Sequence, residues 1–181
     1  MRIFVAIPFP QHIKTLLSEQ FDPALKGANW ERAAGLHMTL RFIGSVDDAT
    51  YARYQTVLES IQQPAFDLQI NSVGCFPEDP ARFPRILWAG VTQPSELMTL
   101  QRAIYDGLDA AGLKPDRHPD YNPHITLARM KSETQKAQFA QYLADYADLT
   151  SEVFRVTEFA IFNSGRGGIF TPIVRYPLLD M

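Results

Sequence analysis

The sequence contains two half-length copies of one pattern, and this repeat constrains the fold more than any other feature. The apolar segment Ile3–Ala6 is followed by prolines and then by apolar residues at helical spacing, and Ile86–Ala89 is followed by the same arrangement. The first helix is predicted over Gln11–Phe21 and its counterpart over Ser95–Ala111. Each half therefore begins with a buried strand and a helix.

The third element of each half carries the same short motif. Leu36–Phe42 reads LHMTLRF, and Pro123–Arg129 reads PHITLAR. The motif histidines, His37 and His124, lie 87 positions apart, close to the 83 positions that separate the first strands. A second helix and further alternating strands follow both copies, which gives a β-α-β-α-β-β unit that is used twice.

One domain with two similar lobes accounts for this repeat. With 181 residues, 46% of them hydrophobic, the chain can build one sizeable core, so we expect a single domain over 1–181 with repeat halves of roughly 1–82 and 83–181. Terminal strands exchanged between the lobes are compatible with this pattern. Helices interspersed with short strands predict an α+β, bilobal two-layer fold, in which antiparallel-rich sheets related by a pseudo-twofold axis face a central cleft.

Composition limits the compartments and partners that we expect. One cysteine excludes an internal disulfide, and with four histidines it leaves little material for a structural zinc site. The apolar N-terminal segment stops at Pro8, too early for a membrane span or a signal peptide. A net charge of −3 provides no excess of positive charge for a long duplex. We therefore expect a cytoplasmic protein that uses no metal or cofactor and does not bind a membrane. We infer no obligatory protein partner. Any nucleic-acid substrate should be short or held at one end.

The two motifs place titratable groups and hydroxyls on one face of their strands. Side chains alternate along a strand, so residues two positions apart point to the same side. His37 and Thr39 therefore share one face of their strand, and His124 and Thr126 share one face of theirs. The intervening apolar residues of the first copy, which we expect to pack on the helices, are Met38, Leu40 and Phe42. A pseudo-twofold axis would bring both His–Thr pairs into one cleft.

Metal-free cleavage of a phosphate ester is the chemistry that this set favours. A neutral imidazole accepts a proton from the attacking group, an imidazolium donates one to the leaving oxygen, and hydroxyls bind the phosphate oxygens. Imidazole titrates near pH ~6.5, so both forms are accessible in the cytoplasm. Acyl transfer would require a nucleophile, and neither Cys75 nor any serine lies in a recognisable nucleophile motif.

The sequence resembles the 2H phosphoesterases, which are named for two His-x-Thr-x motifs, and within them the bacterial RNA 2′,3′-cyclic phosphodiesterases historically called 2′-5′ RNA ligases. The likeness spans nearly the whole chain. Besides the motifs, it includes Ile3–Ile7, Trp30, Pro84–Gly90, Tyr121–Arg129 and Tyr176–Leu178. The resemblance implies hydrolysis of an RNA-terminal 2′,3′-cyclic phosphate to a 2′-phosphate without metal, and it leaves reversible 2′-5′ RNA ligation open.

The resemblance also implies a role for each motif residue. It makes His37 the proton donor and His124 the proton acceptor, with Thr39 and Thr126 holding the phosphate. The residues alone indicate one acid and one base. Because the repeat is pseudo-symmetric, their spacing does not decide which histidine is which.

Two arginines and two aromatic residues are further candidates. Arg41 shares parity with His37, so it either meets phosphate in the cleft or pairs with a surface carboxylate. Arg129 requires a twist or bulge in its strand to reach the cleft, although the resemblance favours it as a phosphate ligand. Trp30 and Tyr121 precede the motifs in loop-like sequence, and they either stack on a terminal base or close the ends of the core.

Two other functions are compatible with the sequence. One is a phosphodiesterase for another cyclic phosphate or a 2′-5′ linked nucleotide, and the other is a non-catalytic module that binds a nucleotide or RNA end. Two complete His-x-Thr pairs favour an enzyme, because binding alone does not require matched titratable groups. The remaining histidines, His12 and His118, are expected to be solvated.

Overall fold

The computed structural model describes residues 1–113 and 120–181, so the expectation for His118 lies outside the described residues. In chain order the elements are β1 (Arg2–Pro8), α1 (Gln11–Ser18), β2 (Ala28–Trp30), β3 (His37–Ser45), α2 (Asp48–Glu59), β4 (Phe66–Leu68), β5 (Ile70–Phe76), β6 (Ile86–Val91), α3 (Ser95–Ala110), β7 (Ile125–Met130), α4 (Lys136–Asp145), β8 (Phe154–Val156), β9 (Glu158–Ser164) and β10 (Phe170–Pro177). A short 3-10 helix, Ala33–Gly35, precedes β3.

The predicted α+β class with antiparallel sheets is confirmed. The first sheet has the strand order β10-β9-β1-β3, and the second has the order β2-β7-β6-β5. Neighbouring strands in both sheets are antiparallel. A separate two-stranded ladder joins β4 to β8. Among the described residues, no helix is long and apolar enough to cross a membrane.

Each half of the repeat contributes strands to both sheets. β5 is the last strand of the first half, yet it pairs with β6, and β9 pairs with β1 in the same crossed manner. β2 also leaves its own half and pairs with β7. Neither sheet therefore forms from residues 1–82 or 83–181 alone. The single-domain interpretation with these repeat halves stays a prediction.

The helices bury the faces that their apolar spacing predicts. Ile13 and Leu17 of α1 are buried, as are the four apolar residues of α3 that follow the same spacing. The first helix ends at Ser18 instead of Phe21. The reason is that the N–H groups of the next turn bond to carbonyls three residues earlier, and that Asp22, which precedes a proline, disfavours helical geometry.

Candidate active site

The two motif histidines are held by the same backbone contact. His37 Nδ1 lies 2.6 Å from the carbonyl oxygen of Gly35, and His124 Nδ1 lies 2.8 Å from that of Asn122. A carbonyl oxygen only accepts, so Nδ1 must donate the hydrogen in both rings. Each neutral imidazole therefore leaves Nε2 as an unprotonated base, and protonation converts it to an acid.

The rings have different surroundings. Three aromatic rings surround His37, with centroids 4.7 to 5.2 Å away: Phe4, Phe162 and Phe170. Only Phe76 packs against His124 in the described residues, edge-on at 4.9 Å. The pKa of His37 is lowered from 6.5 to about 4: burial is the main cause, the hydrogen bond to Gly35 opposes it, and charge on His124 adds to the lowering. The last effect shows that the two imidazoles lie within electrostatic reach of each other.

The pKa of His124 is lowered from its ordinary value as well. Burial is the main cause, the hydrogen bond to Asn122 opposes it, and the positive charge of Arg129 adds to the lowering. Both imidazoles of the free protein therefore carry little positive charge at neutral pH. An anionic ligand between them would favour their protonated forms.

A cavity of about 170 Å³ lies at the meeting point of the two motif strands. His37, Thr39, Thr126 and Arg129 are among its lining residues, whereas His124 does not line it but lies within electrostatic reach of His37. The described residues contain no hydrogen bond from either threonine hydroxyl to a protein acceptor, which leaves both available to a ligand. The structure thus brings four of the predicted site residues to one cavity, with the second histidine adjacent.

β3 contains a bulge that reverses the alternation of its side chains. In its ladder with β1, Thr39 lies opposite Ala6 and Arg41 lies opposite Val5, so Leu40 is an extra residue. At Arg41 and Phe42, between this bulge and a second register shift of the ladder, the side-chain directions are therefore the reverse of simple alternation.

Because of this bulge, the predicted orientation of two side chains is wrong. Arg41, expected in the cleft, is 2% exposed, and its guanidinium carbon lies 4.8 Å from the ring centre of Tyr105 on α3. Phe42, expected against the helices, is 48% exposed and lines the cavity. Arg41 therefore belongs to the layer between sheet and helices, where the parity argument for a phosphate contact does not apply.

β7 contains the same irregularity at the equivalent position. In its ladder with β6, Thr126 and Ala128 lie opposite adjacent residues, so Leu127 is extra. Arg129 thereby reaches the cleft face, where it lines the cavity and its side chain is mostly exposed. The bulge that Arg129 required is present in this structure.

The two aromatic candidates lie outside the cavity. The hydroxyl of Tyr121 donates to the carbonyl oxygen of Thr39 at 3.1 Å, which joins the segment before β7 to β3, and burial raises the pKa of this phenol. Trp30 packs against Phe21 and Tyr142, with ring centroids 4.8 and 5.9 Å away, so it closes one end of the core. A base contact by either aromatic residue stays a prediction.

Glu31 is a cavity residue that the sequence analysis missed. It follows β2 directly, its N–H donates to the carbonyl oxygen of Leu127 at 2.8 Å, and its side chain is 15% exposed. Its Oε1 lies 3.7 Å from Arg129 Nε. Only the pairing of β2 with β7, which no local sequence signal indicates, brings Glu31 to this cavity.

Comparisons with known proteins agree with one another. The profile of the 2′-5′ RNA ligase superfamily matches residues 8–168. The chain is 29% identical over 178 residues to an RNA 2′,3′-cyclic phosphodiesterase of Archaeoglobus fulgidus, covering 95% of this chain and 93% of that protein. It is 28% identical to the protein of the same name from Escherichia coli K12, with 98% and 96% covered. The crystal structure of E. coli LigT complexed with 3′-AMP matches with a TM-score of 0.75 and 25% identity, covering 98% of this chain and 97% of that chain.

Proposed function

The chain belongs to the 2′-5′ RNA ligase superfamily, and on this premise we propose that it hydrolyses RNA-terminal 2′,3′-cyclic phosphates to 2′-phosphates. The observation that carries the proposal is the pair of identically anchored imidazoles beside a cavity that both motif threonines line. Relatives named RNA 2′,3′-cyclic phosphodiesterase, which align over nearly the whole chain, support it.

In the proposed reaction each imidazole moves one proton. His124 Nε2 accepts a proton from water as the water oxygen bonds to phosphorus, and His37 donates a proton to the 3′-oxygen as its bond to phosphorus breaks. The substrate brings a negative charge to imidazoles whose pKa values are lowered in the free protein, and this charge favours protonation of the donor. The assignment of donor and acceptor follows the family resemblance.

The remaining polar groups of the cavity hold the phosphate. Thr39 and Thr126 offer hydroxyl donors to non-bridging oxygens, and Arg129 offers a guanidinium that can bind two of them. These contacts strengthen as charge develops on the phosphate in the transition state. The proposed substrate is a short RNA or a nucleotide that carries the cyclic phosphate at its end.

The experiment that tests this function is product analysis in excess EDTA. We expect a short RNA ending in a 2′,3′-cyclic phosphate to give a 2′-phosphate at an unchanged rate with chelator, because the imidazoles supply both proton transfers without metal. Chromatography against authentic 2′- and 3′-phosphates identifies the product.

Three results would contradict the proposal. They are intact cyclic phosphate after prolonged incubation, a 3′-phosphate product, and activity that returns only with added divalent metal. A 2′-5′ dinucleotide and another cyclic phosphate in the same assay separate the alternative substrates. Reverse ligation and a cytoplasmic location stay predictions.

A further inference from the structure

Glu31 introduces a negative charge into a cavity that is proposed to bind an anion. Its carboxylate lies between the phosphate cavity and a neighbouring cavity of about 370 Å³, and it lines both. Burial raises the pKa of Glu31, while the positive charge of Arg129 opposes this effect. Among the described residues no N–H or O–H group donates to the carboxylate, so its interaction with Arg129 is a charge contact at 3.7 Å. The mechanism proposed above does not use this residue.

The charged groups around the phosphate cavity leave a small positive balance. Among the described residues, the charged groups that line it are Arg2, Glu31 and Arg129, and His37, whose pKa is lowered to about 4, is neutral near pH ~7 in the free protein. Two guanidinium groups and one carboxylate give a net charge of one positive unit. Without Glu31 the same groups would carry two positive units, so the carboxylate halves the charge that attracts an anion.

The proposed substrate and product differ in charge. A cyclic phosphodiester carries one negative charge, whereas a phosphomonoester, with a second pKa near ~6, approaches two negative charges at neutral pH. Coulomb energy scales with the product of the charges, so Glu31 repels the product about twice as strongly as the substrate at the same distance.

We propose that Glu31 weakens the binding of phosphomonoester dianions more than that of phosphodiester monoanions, so that the hydrolysed product leaves more readily. The inference rests on the proposed function for the identity of substrate and product. Glu31 acts here as a specificity-determining residue through charge, without contact to the reacting atoms. Arg129, whose Nε lies 3.7 Å from Glu31 Oε1, is the cation whose attraction for an anion this carboxylate offsets.

The test compares two ligands in the wild-type protein and in Glu31→Gln. Calorimetric titration gives the dissociation constant of adenosine 2′-phosphate, and steady-state kinetics give KM for adenosine 2′,3′-cyclic phosphate, both at about pH 7.5. The substitution preserves shape and removes one charge. We expect binding of the cyclic phosphate to tighten by roughly threefold and binding of the 2′-phosphate by about the square of that factor, roughly tenfold.

Asp67→Asn is the matched control. Asp67 on β4 also pairs with an arginine, at 3.2 Å from Arg155 Nη1, and it lines neither cavity that contains Glu31. We expect both constants to stay at wild-type values in this variant. A change equal to that in Glu31→Gln would show that loss of any carboxylate acts through the net charge of the molecule, which would overturn the inference.

Other outcomes also decide between interpretations. If Glu31→Gln tightens binding of the two ligands by the same factor, the inference is overturned, because discrimination by charge requires a larger factor for the dianion. Weaker binding of both ligands would overturn it too, since it would show that the carboxylate accepts a hydrogen bond from the nucleoside. Glu31→Ala removes the charge without adding an amide and should shift both constants in the same direction as Glu31→Gln. If the wild-type protein binds the cyclic phosphate without hydrolysing it, the proposed function fails, while titration of both ligands still tests the discrimination.

Discussion

His37 and His124 share a backbone anchor, and their different neighbours predict an acid-shifted pH profile. Because both pKa values are lowered, the free protein holds one proton on the pair only between about pH 4 and the ordinary value of 6.5. We expect kcat/KM, which reports the free protein, to peak in this window and to fall as the pH rises above it. A bound phosphate raises both pKa values, so the alkaline limb of kcat should lie at higher pH than that of kcat/KM.

Pre-steady-state turnover at several pH values checks this prediction, because it isolates the chemical step. Alkaline limbs of kcat and kcat/KM that coincide above pH ~7 would show that neither imidazole is depressed in the free protein.

Substitution of the motif histidines should lower kcat more than substitution of the motif threonines. His37→Ala or His124→Ala removes the proposed general acid or base, and we expect kcat to fall by roughly 10²–10⁴-fold. Thr39→Ala or Thr126→Ala removes one proposed hydrogen bond to phosphate and should cost less. Because acid and base act in one displacement, the double histidine variant should lose less than the product of the single losses.

Turnover of a 2′,3′-cyclic phosphate measures these losses, and circular dichroism verifies the fold. His12→Ala is the control, because His12 lies on the surface beside Glu152 and should leave turnover unchanged. Folded His37 and His124 variants with near wild-type turnover would favour the non-catalytic binding module instead.

The placement of a site residue could be predicted where its chemistry and its position in the strand pattern pointed to the same face. The His–Thr pairs could be predicted because strand parity and the repeat both place them on one face, and the structure puts three of the four on the cavity wall. Glu31 could not be predicted in this way. It reaches the cavity through β2, a three-residue strand that is too short for an alternation signal.

At the scale of elements, the paired bulges decide which arginine faces the cleft. Motif alignment makes Arg41 equivalent to Ala128 and Phe42 equivalent to Arg129. Since both strands insert an extra leucine, the first position of each pair turns to the helices and the second to the cleft. Strand parity alone failed for Arg41 because a bulge leaves no simple signature in one sequence.

The same geometry predicts opposite phenotypes for the two arginines. Arg41→Ala should lower the free energy of unfolding by about 2–4 kcal/mol, because it empties a buried position and removes the cation from Tyr105. Arg129→Ala should leave stability within about 0.5 kcal/mol, because the side chain is mostly exposed, and should reduce kcat/KM about tenfold or more, because it removes a proposed phosphate ligand.

Chemical denaturation and steady-state kinetics of both variants provide the measurements. A stable Arg41→Ala protein with a raised KM would place Arg41 in the cleft. A destabilised Arg129→Ala protein with normal kinetics would remove Arg129 from the proposed phosphate contacts.

For the whole molecule, the crossed strand order makes the site depend on both halves of the chain. The first motif lies on β3 in one sheet and the second on β7 in the other, and the hydroxyl of Tyr121 links them through Thr39. The two-lobed α+β class followed from the repeat. The pairing partners of each strand did not, because a local pattern of buried residues contains no information on which distant strand completes a sheet.

The crossed order also predicts that the two lobes unfold together. Each sheet contains strands from both halves of the chain, so unfolding of either half removes strands from both sheets and leaves the remaining strand edges unpaired. The two tryptophans, Trp30 and Trp88, both lie in the second sheet, and their fluorescence therefore reports that lobe alone. Far-UV circular dichroism reports both lobes. We expect the two signals to give the same urea midpoint and slope, as a single cooperative transition requires. A fluorescence midpoint that differs from the dichroism midpoint would show that one sheet unfolds without the other. A folded fragment of residues 1–82 or 83–181 would show that one half of the chain is stable without strands from the other half.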